Sequence, residues 1–361
     1  MTLKELINKF NTFTEDKNYL SKPPVGLLSP AFSHEFNVSA GHDYANEIFE
    51  SNELILTPIK YSLIDTCFRR IDMERVGFSN SHLSLFFIAL FALGLRKEYM
   101  ESHIKYLIRD YIEFLTGMLE IPNDKILITV FNGGNILNFN LDKEILLIEA
   151  LKEAGIDESR ILALNGRRNF FYAQNVECSG PTCEIYYNIN QKGCSNLNYI
   201  EIGSINYYKY INKNNSLSIS PNQVFACGIG LERTLMALQN KSNICDIDVI
   251  SPLIGIVNKA LSSPFEQIIF SSSIRSIIDN VRSAIFILSE GINPDNSSRG
   301  RLLKKILKNI INQMKYLYLF DYKIISELED SITEIYADSY PQLKQKRINL
   351  ITMITDKFQK E

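Results

Sequence analysis

The sequence predicts an α+β fold: a mixed, mostly antiparallel sheet with flanking helices, then a helical domain. Three observations lead there. Apolar runs of strand character recur as far as Ala226. Beyond Gln239 the long apolar segments take on helical periodicity and strands disappear. A chain of 361 residues suffices for one large domain or two smaller ones, each with a core. A boundary near Asn240–Asp248 divides it into residues 1–243 and 244–361.

Leu3, Leu6, Ile7 and Phe10 have helical spacing, so Leu3–Phe13 opens the chain as a helix. Lys22–Gly26, with two prolines, is a turn, and Ala45–Glu53 a short helix. Leu54–Ile64 and Leu83–Leu93 are strands, with a loop at Arg69–Ser81 between them. Met100–Leu119 is an amphipathic helix that ends before Ile121-Pro122-Asn123. Ile126–Phe131 is a buried strand, and Leu141–Ala154 a helix stopped by Gly155. Phe171–Val176, Cys183–Asn188 and Tyr199–Tyr210 are strands, and Asn190–Asn198 is a polar loop. The apolar run Val224–Ala226 feeds the helix Leu231–Leu238. Helices at Leu253–Ala260, Ile274–Leu288, Leu302–Tyr318 and Ile324–Tyr336 make up the second part.

A hydrophobic fraction of 45% and a charged fraction of 22% are those of a soluble globular protein. The net charge of −3 supplies no global basic field, so contact with nucleic acid needs a local patch. Six cysteines in so long a chain make no disulfide scaffold, and reduced thiols in the cytoplasm are expected. Met1–Phe13 lacks the apolar core of a secretory signal. The longest apolar segment, Leu83–Leu95, is too short to span a bilayer, so no membrane partner is expected.

The most informative stretch is Ala226-Cys227-Gly228-Ile229-Gly230-Leu231-Glu232-Arg233. Its glycines let another group approach the backbone where a strand hands over to a helix. Arg233 then stands in the first helical turn, where a cation opposes the helix dipole; an anion or a flat ring nearby explains it. Upstream lies Asp65-Thr66-Cys67-Phe68-Arg69-Arg70, followed by Asp72 and Glu74. Arg69 sits just past a strand, where a guanidinium can grip a phosphate with two parallel donors. Cys178–Asn188 reads CSGPTCEIYYN, and Tyr199–Tyr210 reads YIEIGSINYYKY. Glu201, between Ile200 and Ile202, is a carboxylate in an otherwise apolar strand. Downstream come Ile274-Arg275, Arg282-Ser283, Glu290-Gly291 and Asn296-Ser297-Ser298-Arg299-Gly300-Arg301.

In this order the segments resemble the catalytic core of the alanyl-tRNA synthetases, which are class II aminoacyl-tRNA synthetases, over nearly the whole chain. The resemblance implies the class II sheet and ATP-dependent activation of an amino acid, alanine by default, with transfer to tRNA. It implies ATP and Mg²⁺. Arg69 grips the α-phosphate, and Arg233 contacts phosphate and stacks on adenine. Glu74, Gly228 and Gly230 lie at the nucleotide. Phe91 holds the place of an adenine-stacking aromatic, although a phenylalanine on an apolar strand equally suits the core. Glu201 and Glu184 are the candidates to hold Mg²⁺. Phe171, Ser204, Ala226, Cys227 and Gly228 take the amino-acid pocket. Asn296, Arg299, Arg301 and Lys305 point to the tRNA acceptor stem.

This chain departs from that pattern in the amino-acid pocket. The family's EIWN is EIGS here, with Gly203 and Ser204, and Phe171 replaces a tryptophan. Ala226 and Cys227 replace an aspartate and a threonine, and that aspartate would pair with the substrate ammonium. The loop after Arg69 is shorter than the family's, which weakens the case for tRNA. Some class II relatives bind zinc to read a substrate amine, and Cys67 with Cys227 would supply ligands for Zn²⁺ here. The Cys178, Cys183 and Cys194 spacing lacks the paired form of a structural zinc site. His34, His42, His82 and His103 share no ligand spacing and read as structural. After Tyr340–Lys344 the family continues into further tRNA-binding, editing and oligomerisation segments. Class II cores often pair through a first motif, here Ser33–Ala45, which makes a homodimer the expectation. Two further readings stay open: a paralogue that transfers the acyl group to a carrier protein or small amine, and a non-catalytic ATP-binding regulator.

Overall fold

The computed structural model describes residues 1–32, 35–136, 138–172, 177–189, 199–213, 216–261, 263–345, 350 and 352–354. Residues 190–198, including Cys194, and the last part of the expected strand Phe171–Val176 lie outside them, as do Ser33 and His34.

Helix α1, Leu3–Asp16, starts at a capping box in which Thr2 and Glu5 satisfy each other's backbone donors. Strand β1, Leu20–Ser21, and helix α2, His42–Phe49, follow. Strand β2, Ile59–Phe68, starts later than the apolar pattern implies. The backbone before it is held elsewhere: Ile55 N donates to Asn222 Oδ1 at 3.0 Å, and Arg96 N donates to Ile55 O at 2.9 Å. Strand β3, Leu85–Arg96, runs into helix α3, Lys97–Glu113, which closes in a π-turn over Phe114–Met118. Strand β4 covers Ile126–Phe131, as the sequence implies. A hairpin of β5, Gly134–Ile136, and β6, Phe139–Leu141, takes Leu141 away from the helix expected there, so α4 is Ile145–Glu153. Next come β7, Ile161–Leu164, β8, Phe170–Tyr172, β9, Cys178–Asn188, β10, Tyr199–Lys213, and β11, Ser216–Gly230. Helix α5, Leu231–Leu238, has the expected bounds. After it come α6, Ser251–Lys259, α7, Pro264–Ile269, α8, Ser271–Ser289, α9, Ser298–Tyr316, α10, Lys323–Tyr336, and α11, Gln342–Gln345.

Among the described residues nine strands form one sheet in the order β1-β2-β3-β11-β10-β9-β4-β7, with β8 beside β9. β1 pairs with β2 and β4 with β7 in parallel; the other pairs are antiparallel. The register decides which side chains share a face, because successive residues alternate. Glu184, Ser204, Gly228, Leu90 and Leu63 lie side by side across the sheet. Cys183, Ile205, Cys227, Phe91 and Ser62 form the next row, on the opposite face. That rear face carries α1 and α3, and Phe91 packs there among Phe10, Phe13, Tyr19 and Tyr111 at ring distances of 5.2 to 6.5 Å.

A buried charge network ties α8 to β3 and α5. The wholly buried Arg282 donates from Nη2 to Glu232 Oε1 at 3.3 Å and to Tyr336 Oη at 2.9 Å, and from Nη1 to Leu85 O at 3.3 Å. Asp279 lies 3.7 Å from its Nη1. Glu232 Oε2 also accepts from Phe87 N at 3.1 Å, and Asp279 accepts from Ser84 N at 3.2 Å. Burial pushes both carboxyl groups up, and the Arg282 charge pulls them back down. Removing Arg282 would strand two buried carboxyl groups. Arg282→Met should cost about 3–5 kcal/mol of stability in urea unfolding, with Glu232→Gln in the same chain restoring part of it. A loss under about 1 kcal/mol would show that the network does not hold these elements together.

Candidate active site

Arg69 closes β2 and Arg233 lies in the first turn of α5, and both line one cleft on the front face of the sheet. Arg69 Nε donates to Val38 O at 3.0 Å, and its guanidinium lies 4.9 Å over the Phe86 ring. Arg233 Nε donates to Ser81 O at 3.0 Å, and its Nη1 meets Glu201 Oε2 at 3.1 Å. Each guanidinium is fixed through Nε by a backbone carbonyl, and Arg233 Nη1 also donates to Glu201 O at 3.3 Å, which leaves Nη2 of Arg233 and the terminal nitrogens of Arg69 directed to a ligand. Gly228 and Gly230 form the floor between them, with Ser204 at the side. A second recess shares Arg69, Glu201, Ser204 and Asn206 with this cleft and extends it past Phe171, Glu184 and Tyr186 to Arg167 and Arg168. Glu184 accepts a short hydrogen bond from Tyr186 Oη. Glu184 and Glu201 thus open onto one continuous cleft.

Residues 36–360 match the family model described as tRNA synthetases class II (A). The chain belongs to this family. It is 29% identical over 354 residues to an alanine–tRNA ligase of Elusimicrobium minutum, covering 94% of this chain and 39% of that protein. It is 27% identical over 367 residues to an alanine–tRNA ligase of Borrelia hermsii, covering 96% of this chain and 59% of that one. The chain therefore spans less than two thirds of the length of these relatives. It also overlays on apo S. aureus histidyl-tRNA synthetase with a TM-score of 0.41, at 12% identity and over 68% of each chain.

Within this class II chain, several sequence-derived positions need correction. Phe91 does not reach the cleft: it sits on the rear face, and Phe86 is the β3 aromatic that lines the cleft. Glu74 turns outward with its side chain 83% exposed, 3.8 Å from Lys305 Nζ. The buried Asp72 takes the place beside the cleft instead. Cys67 pairs in register with Phe86 and faces front, whereas Cys227 pairs with Phe91 and faces the rear. The sheet separates the two thiols, so they cannot share one zinc ion. Burial pushes both well above the ordinary thiol range, which disfavours the metal-binding thiolate. Among the described residues no three His, Cys, Asp or Glu side chains form a metal cluster.

Ser204, Ala226, Cys227 and Gly228, the residues expected in an amino-acid pocket, lie on β10 and β11. Ala226 is buried in an apolar front-face cluster that includes Tyr61, Ala92 and Tyr208. Its cross-strand neighbour is Asn206, which sequence reading missed because the family pattern draws attention to residue 204. Asn206 Nδ2 donates to Ser204 Oγ at 3.3 Å. Gly203 explains itself structurally: a Cβ there would stand 2.2 Å from Tyr111 Oη. That hydroxyl comes from the rear helix α3 and donates to Gly228 O at 2.9 Å.

Of the expected nucleic-acid contacts, Arg299, Arg301 and Lys305 all line a second cavity with Arg70. Asn296 is used within its own turn, accepting from Arg301 Nη1 at 2.5 Å and from Lys304 Nζ at 2.8 Å. Arg299 points inward to Phe32 O and Glu35 O, at 2.8 and 2.9 Å.

Phe171 packs on Tyr208 at 5.0 Å, and Tyr208 Oη lies 3.0 Å from His42 Nδ1. Burial lowers His42 from 6.5 to about 4, against the pull of Asp43. Between those values the unfolded chain binds a proton that the folded chain does not. The contribution of His42 to stability is therefore present above pH 6.5 and lost as pH falls towards 4, by about 3 kcal/mol in all. His42→Phe should flatten the pH dependence of urea unfolding in that window. An unchanged slope would show that His42 is not its source.

Proposed function

We propose that this chain activates the carboxylate of an amino acid with ATP, alanine being the family default, and transfers the acyl group to tRNA. The observation that carries this reading is the convergence of Arg69 and Arg233, distant in sequence, on one cleft floored by Gly228 and Gly230. A substrate carboxylate oxygen attacks the α-phosphorus, the bond to the bridging oxygen breaks, and pyrophosphate leaves. Arg69 stabilises charge on the α-phosphate, and Arg233 holds the nucleotide from the other side. Phe86, with Arg69 stacked on it, offers a platform for a flat base. Glu201 and Glu184 supply carboxylate oxygens to one cleft and suit Mg²⁺, which would neutralise charge on the phosphates. The acyl-adenylate is then opened by an acceptor hydroxyl, with release of AMP.

The division of labour we propose follows the sequence boundary. Residues 1–243 carry adenylation, and residues 244–361 present the acceptor, with Arg70, Arg301 and Lys305 facing its phosphates. The partners are ATP, an amino acid and tRNA, and a homodimer is the expected assembly. Among the described residues five cysteines are free and buried, which suits a reducing cytoplasm. Among the described residues no helix is long and apolar enough to cross a membrane.

One observation favours a second reading. Ala226 offers no carboxylate to a substrate ammonium, and its neighbour Asn206 is neutral. A paralogue that activates a different acid, for transfer to a carrier protein or small amine, fits that chemistry.

Pyrophosphate exchange across the standard amino acids tests both. Exchange with one amino acid, and charging of tRNA with it, supports the first reading; exchange without tRNA charging supports the second. No exchange with any acid would remove both. Arg69→Ala and Arg233→Ala should each lower exchange by about 10²–10³-fold. Phe86→Ala should raise KM for ATP, whereas Phe91→Ala should cost about 3–5 kcal/mol of stability and leave that KM unchanged.

A further inference from the structure

We propose that Arg299 is a positioning residue for Arg69, acting through the backbone segment that both arginines grip. The proposal rests on the adenylation reading above.

Arg299 leaves the first turn of α9 in a fixed direction. Ser297 caps that helix, accepting from Gly300 N at 3.0 Å, and Ser297 N donates to Asp295 Oδ1 at 2.8 Å. A Cβ at Gly300 would stand 1.9 Å from Asp295 Oδ1, so the turn closes only around a glycine. The guanidinium fork then reaches the other half of the chain. Nε donates to Glu35 O at 2.9 Å and Nη2 to Phe32 O at 2.8 Å.

Those carbonyls belong to the stretch that delivers Val38, whose own carbonyl accepts from Arg69 Nε at 3.0 Å. The intervening residues transmit the hold. Phe36 is buried, with its ring 5.5 Å from that of Phe68, the residue before Arg69. Phe68 N donates to Asn37 O at 2.7 Å. The same segment is held further back, where Leu27 N donates to Glu290 Oε1 at 3.3 Å at the end of α8. The helical half therefore grips at two points the strip of backbone that aims the cleft arginine.

A guanidinium that gives Nε and Nη2 to two carbonyls cannot offer the same pair to a phosphate. It is planar and bridges two acceptors at fixed spacing, which a lysine ammonium does not reproduce. Loss of this bridge should displace Val38 O and with it the Arg69 fork, and misplacement of about 1 Å costs up to about a hundredfold in rate.

The test is amino-acid-dependent pyrophosphate exchange with no nucleic acid present. Arg299→Gln should lower exchange about tenfold or more through kcat or KM for ATP, and leave KM for the amino acid within about twofold. Arg299→Lys should fall between it and wild type, and reports the same quantity if the glutamine variant does not fold. Urea unfolding of both variants separates misplacement from global loss of structure. Wild-type exchange in Arg299→Gln, with only transfer to tRNA impaired, would overturn the proposal and return Arg299 to the acceptor surface. A wild-type chain that neither exchanges with any amino acid nor binds ATP would instead remove the adenylation reading, and this proposal with it.

Discussion

The buried Arg282 cation is the constraint on which the rest depends. It meets Glu232 of the glycine-helix motif, Asp279 of its own helix, the carbonyl of Leu85 and the hydroxyl of Tyr336. An ion so far from water is tolerable only beside its counter-charges, and its Nε still finds no hydrogen-bond partner among the described residues. Satisfying it fixes the start of β3, the first turn of α5 and the face of α8 together. Arg233 follows Glu232 directly, so the orientation of one cleft arginine is inherited from this network. The orientation of the other is set through backbone carbonyls at Val38, Phe32 and Glu35. Helical residues far along the chain thus take part in shaping a front-face cleft made mostly by the sheet.

Much of this was legible in the sequence. The helix at Leu231–Leu238 and the strand at Ile126–Phe131 announce themselves by period and by flanking glycine or proline. The cleft arginines were legible too, because Gly228 and Gly230 mark a backbone meant to be approached. What was not legible was parity. Leu85–Leu95 is apolar throughout and mostly buried on both faces, so alternation cannot say whether Phe86 or Phe91 looks forward. Only the pairing with β2 and β11 decides it, and it decides for Phe86. The same parity places Cys67 and Cys227 on opposite sides of a sheet they had seemed to share. Asp72 and Glu74 stand in one tight turn, and composition could not tell which would be buried. The start of β11 at Ser216 alternates serine with Leu217 and Ile219 but is short and largely exposed, and its pairing with β10 completes it as a strand. The carbonyl contacts of Arg299 lie between residues remote in sequence, beyond the reach of local pattern.

The two ends of the cleft have different characters. One end brings together the guanidinium groups of Arg69 and Arg233, Gly228 and Gly230, and the ring of Phe86. The end towards β9 carries Glu184, Arg167 and Arg168, with Ser204 and Asn206 between it and the arginine pair. Under the adenylation reading proposed above, the first end would meet the phosphate groups, and side chains on β10 and β11 would bear on the choice of acyl group.

Gly203 and Tyr111 form a lock between layers. The tyrosine hydroxyl passes from the rear helix to the carbonyl of Gly228 through the space that any side chain at 203 would need. Neither position can drift alone: a bulkier residue at 203 collides with the phenol, and shortening the tyrosine leaves a void in the middle of the sheet. Trimming the phenol would not by itself free the site for a larger residue, because the same Cβ would also stand 2.5 Å from the main-chain oxygen of Gly228.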